Sequence, residues 1–89
     1  MSLTASDTAI IDLYAVSPER LLRFFMSGHL PPVLRATSEE CAGLAIVFVR
    51  TLPAGPERTV ALRKLLEAKD AAVRATLEAP QIRDEEPKF

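Results

Sequence analysis

The stretch Pro56 to Ala79, PERTVALRKLLEAKDAAVRATLEA, constrains this chain most. It predicts one helix of about six turns. Gly55 and Pro56 open it, with proline at the first helical position, where no backbone donor is missed. Glu57 complements the helix dipole in the first turn, and Pro80 is expected to close the helix. Two apolar stripes run along it. Leu62, Leu66, Val73 and Leu77 form the first, interrupted by Lys69. Ala61, Leu65, Ala68, Ala72, Ala75 and Ala79 form the second, so small that another backbone could approach closely. The third face carries Arg63, Glu67, Asp70 and Arg74, with opposite charges at i,i+4. One hairpin uses one apolar stripe per helix, so the second calls for another partner. A second copy of the chain is the simplest.

With 89 residues the chain is one domain, small for a self-sufficient core. Aromatics are 6% and tryptophan is absent, so the aliphatic, alanine-rich remainder favours helices. Net charge is −1 with the signs evenly mixed, which argues against duplex nucleic acid as a ligand but permits a local basic pocket. The single cysteine, Cys41, excludes an intramolecular disulfide and fits a reducing compartment. No signal-peptide pattern opens the chain, and its longest apolar run, Cys41 to Val49, is far short of the ~20 residues a bilayer requires. A soluble, cytoplasmic protein without a membrane partner is expected.

Residues 1–7 are small and polar and are expected to fray. Thr8 to Ala15 is a short apolar patch, helical or an extended strap, with Ser6 or Asp7 as the cap if helical. Ser17-Pro18-Glu19 starts a short helix over about 18–27, with Gly28 as its stop. Gly28 to Pro32 is a rigid connector into a second helix over about 32–52, whose core stripe reads Leu34, Thr37, Cys41, Leu44, Phe48 and Leu52 or Thr51. Thr37 and Glu40 match a capping box, an alternative start or kink. The run from Cys41 to Val49 is apolar all round, so burial on every side is expected and a charge at Leu44 should collapse the assembly. Leu52 to Pro56 forms a tight turn into the third helix, over about 56–79. The expected architecture is all-α: one helical domain over 1–79, in which a long antiparallel hairpin follows a short N-terminal helix and assembles as a homo-oligomeric bundle, then a disordered tail over 80–89.

The residues point to binding rather than catalysis. One histidine, His29, and one cysteine make neither a metal site nor a nucleophile pair, and no phosphate loop or serine elbow is present. No enzyme activity, catalytic residue, metal or cofactor is expected. His29 is a flat ring beside Pro31-Pro32, able to stack on a base, and Tyr14, Phe24 and Phe25 either pack the first helix or line a pocket. Arg35 lies one turn into the second helix, where backbone donors and a guanidinium can share a phosphate. Lys69 breaks an apolar stripe, so its ammonium must snorkel or meet an anion. Arg63 and Arg74 have acids at i±4, while Arg20, Arg23 and Lys64 read as solvated surface.

The span Phe25 to Ala75, with FMSGHLPP, an apolar helix ending TLP, and PERTVALRKLLEAKDAAVRA, resembles the small phage proteins that share the helical-hairpin domain of the anti-CBASS and anti-Thoeris cyclic-nucleotide sponges. The junction carries it: P-x-x-x-E-R at Pro53 to Arg58, then A-L-x-K-L-x-E-A at Ala61 to Ala68. The resemblance implies a non-enzymatic protein of the host bacterial cytosol that evades antiviral defence by sequestering cyclic nucleotide messengers uncleaved. Cyclic dinucleotides, cyclic trinucleotides and cyclic ADP-ribose isomers are the implied ligands, held between protomers of an oligomer, often a hexamer. Phe25 or His29 would supply the aromatic role, and Arg35, Lys69 or Arg74 the basic one. Met1 to Arg23 precedes the resembling span. The alternative function is a helical adaptor that docks a different protein on its apolar face.

Overall fold

The computed structural model describes residues 3–17 and 19–82, with side chains described as far as Glu78. Those residues fold as helices without a strand: α1 (Ala5–Val16), a 3-10 helix (Arg20–Phe25), α2 (Pro32–Thr51) and α3 (Pro56–Ile82). The two long helices pack side by side as a hairpin. The 3-10 helix lies across both, while α1 rests on α2 and the 3-10 helix without reaching α3. The result is a slab of 46 × 31 × 15 Å. Its core joins Ile10, Leu22, Phe25, Ala42, Ala45, Ile46, Val49 and Leu62.

The N-terminal segment is ordered earlier than its composition suggests. Thr4, not Ser6 or Asp7, caps α1: its hydroxyl accepts from the Asp7 N–H at 3.0 Å, and the Asp7 carboxylate accepts from the Thr4 N–H at 3.2 Å. This is a capping box with aspartate in the reciprocal position. Ala5, Ser6 and Asp7 are therefore helix rather than frayed chain.

The expected short helix over 18–27 is a 3-10 helix over Arg20–Phe25, and Pro18 lies outside the described residues. Three residues per turn bring Leu22 and Phe25 onto one edge, and both are fully buried. Gly28 does not end it as a left-handed cap: its φ is not positive, and its N–H donates to Asp7 instead.

α2 starts at Pro32 and runs unbroken through Thr37, so the Thr37/Glu40 pattern marks no start. Its buried face is Leu34, Ser38, Ala42, Ala45, Ile46 and Val49, one residue on from the expected stripe of Thr37, Cys41, Leu44 and Phe48. Between Cys41 and Val49 every face is apolar, so periodicity cannot fix the rotation; small side chains at Ser38, Ala42 and Ala45 decide it by admitting the elements that cross there. Leu44 and Val47 consequently stand 44% and 48% exposed, against the expectation of burial on all sides.

The turn 52–55 is fastened by Arg58. Its guanidinium donates to the carbonyls of Val49 and Leu52, both at 3.3 Å, and pairs with Glu19 at 3.2 Å. These satisfy carbonyls at the end of α2 that have no helical partner. Leu62 of the first α3 stripe enters the core, with Leu66 packed beside it. α3 continues past the expected end at Ala79 to Ile82, so Pro80 does not close it and the tail does not begin there. A proline inside a helix removes one donor without forcing a stop. Residues 83–89 of the expected tail lie outside the described residues.

Candidate functional site

The five residues singled out from the sequence do not converge on one surface. Phe25 is fully buried, and its ring is core rather than a face for a base. Lys69 is 9% exposed: its ammonium donates to the Phe24 carbonyl at 2.8 Å, lies 3.4 Å from Asp70 and sits 5.9 Å from the Phe25 ring centre. The lysine in the apolar stripe thus anchors the end of the 3-10 helix onto α3. Arg35 donates to the Leu30 carbonyl at 2.9 Å and closes the corner before α2, while its Nε is buried without a partner among the described residues. His29 is exposed in the same corner, and Arg74 is exposed far along α3. Both i,i+4 acids offered to Arg63 and Arg74 sit against lysines instead, Glu67 on Lys64 at 3.7 Å and Asp70 on Lys69.

That corner is held by Asp7, which the sequence marks only as a candidate helix cap. Asp7 is 1% exposed and accepts from the backbone N–H groups of Ser27 at 2.7 Å and Gly28 at 2.8 Å, besides that of Thr4. Burial pushes its carboxyl up, but the hydrogen bonds from Ser27, Thr4 and Gly28 outweigh burial and hold it below the ordinary aspartate range. Beside it the Ser27 and Ser38 hydroxyls share a buried 2.7 Å hydrogen bond, and the Thr4 hydroxyl donates to Glu39 at 3.0 Å. The Thr4-x-x-Asp7 spacing was the available signal.

Three concave surfaces are open to a partner among the described residues. The first lies on the hairpin, along α2 and α3. There a broad groove of about 560 Å³ is lined by Cys41, Gly43, Leu44, Val47 and Leu65, with Glu39 and Glu40 at one end. A Cβ on Gly43 would meet nothing, so the backbone is open to close approach at that point. Cys41 borders this groove; burial raises its thiol pKa, Lys69 opposes the shift and Glu40 adds to it, so the protonated thiol is favoured. A second, of about 430 Å³, lies between α1 and the end of α2, with Thr8, Asp12, Val16 and Arg50 in its wall. The third is a cleft where the 3-10 helix crosses the start of α3, lined by Glu19, Arg20, Leu21, Phe24, Thr59 and Arg63. No His/Cys/Asp/Glu group with metal-binding geometry occurs among the described residues, and no helix there is long and apolar enough to cross a membrane.

No protein-family model, curated protein or solved structure matches the chain.

Proposed function

We propose that this chain is a non-enzymatic sequestering protein of the phage immune-evasion type, which self-associates and holds cyclic di- or trinucleotide messengers, or related cyclic nucleotides, without cleaving them. The observation that carries self-association is the uncovered hairpin face. Leu44, Val47 and Leu65 line an apolar groove beside the bare backbone of Gly43, a surface suited to a second copy of the same face. The ligand class rests on the resemblance of Phe25 to Ala75 to the cyclic-nucleotide sponges. Its distinctive junction, Pro53 to Arg58, has a structural task here, since Arg58 caps α2; it supports the hairpin more directly than it supports a ligand.

A thermal-shift panel of cyclic di- and trinucleotides and cyclic ADP-ribose isomers, with linear mononucleotides as controls, tests this reading. Sequestration predicts a rise in Tm that grows with the concentration of one cyclic class, and ligand recovered intact after heat denaturation. A flat panel from folded protein would overturn it.

The internal engagement of Phe25 and Lys69 favours a second reading, an adaptor whose apolar groove receives another protein's helix. A monomeric mass together with a flat panel is its signature.

A further inference from the structure

The cleft between the 3-10 helix and α3 combines three kinds of group that a nucleotide needs. Phe24 is 48% exposed although it neighbours the core residue Phe25, and the Arg23 guanidinium lies over one face of its ring, 5.2 Å from the centre. Arg20 and Arg63 line the same cleft from different elements. Glu67, the acid one turn beyond Arg63, lies on Lys64, so the Arg63 guanidinium has its fork of donors to offer. Glu19 is bonded to Arg58 through one oxygen and retains acceptor capacity for an exocyclic amino group. The Thr59 hydroxyl, which donates to the Gly55 carbonyl at 3.3 Å, completes the wall.

We propose that this cleft seats one nucleotide unit, its base stacked on Phe24 and its phosphate held by Arg20 and Arg63. The assignment rests on the sequestration reading above and names its site, replacing the buried Phe25 and the internally bonded Lys69. Stacking on an exposed ring tolerates any base, and a guanidinium pair matches phosphate geometry bidentately. The ion pair of Glu19 with Arg58 balances the carboxylate, so the cleft keeps a positive excess from Arg20 and Arg63. At about 320 Å³ it lies at the small end of ligand sites. It takes one nucleotide and not a whole cyclic oligonucleotide. A cyclic ligand therefore offers its remaining units to another copy of the cleft, which links ligand capture to assembly.

Isothermal titration with cyclic di-AMP, cyclic di-GMP and cyclic tri-AMP as probes tests the site, comparing wild type with Phe24→Ala, Phe24→Tyr and Arg63→Gln. Arg63 is exposed and Phe24 half exposed, so the ligand-free Tm of F24Y and R63Q should equal that of wild type. F24A should lose only the packing of half a ring, with its affinity measured well below its own Tm. The expected result is affinity about tenfold or more weaker in F24A and R63Q, and wild-type affinity in F24Y, which keeps the ring. Wild-type affinity in F24A and R63Q would overturn the site while leaving sequestration standing. F24Y as weak as F24A would overturn the stacking role. Absence of binding by wild type to all three probes would overturn this site, and sequestration falls with it when the cyclic ADP-ribose isomers of the thermal-shift panel are also without effect.

Discussion

Asp7, Arg58 and Lys69 are ionised side chains that this small core buries by hydrogen-bonding them to backbone, and the first two act at the turns. Asp7→Asn keeps the shape but turns an N–H towards donors, so a loss of about 2–3 kcal/mol is expected at neutral pH, measured by urea denaturation. The sign of the pH dependence follows from the lowered pKa of Asp7. Its folded value lies below its unfolded value, so its stabilisation is complete above the unfolded aspartate pKa of about 3.9 and is lost as pH falls through the folded one. Wild type should lose stability on acidification through that window, and the asparagine variant should lose less. Arg58→Ala strands Glu19 and the carbonyls of Val49 and the C-cap Leu52, for an expected cost of about 3 kcal/mol. A midpoint shift near zero would show the pair to be dispensable. Neither role was read from composition: the partners of Asp7 lie 20 and 21 positions away, and Glu19 lies 39 positions from Arg58.

At the scale of elements, the instructive cases are α2 and the lysine of α3. Helix type, start and approximate end of α2 follow from Pro32 and from an apolar, proline-bounded stretch. Its rotation does not, because a helix apolar on every side offers several equivalent stripes. Contact with three other elements at once selects the face with Ser38, Ala42 and Ala45, where backbones come nearest. Lys69 shows the converse: its interruption of the stripe is visible in sequence, but its partner is a main-chain carbonyl exposed by the 3-10 geometry. Lys69→Met keeps the buried stem and removes the ammonium. It should lower stability by about 1–3 kcal/mol and increase hydrogen exchange in the 3-10 helix more than in α2. Uniform exchange across the chain would refute the anchoring role.

The whole molecule is one hairpin floored on a single side. At 15 Å its short dimension exceeds one helix diameter, of about 10–12 Å, by little. Leu44 and Val47 are half exposed on the open side, so Leu44→Asp should leave the protomer folded, with a stability change within about 1 kcal/mol. The same substitution should abolish self-association, read as a fall to monomer mass by light scattering with an unchanged circular dichroism spectrum. Loss of helicity would instead show Leu44 to be needed by the protomer itself. An unchanged mass would place the assembly surface elsewhere.

By itself the sequence determined the helical class, the proline-bounded turn, the extent of α2 and the surplus of apolar surface, because propensity, capping and periodicity act over neighbouring residues. Tertiary structure alone decided which face of α2 is inside, that Phe25 is core while Phe24 is open, and that Asp7, Arg58 and Lys69 serve backbone groups. Those outcomes depend on which main-chain donors and acceptors are left unpaired where elements cross. The crossings are set by packing the whole chain, and no local pattern encodes them.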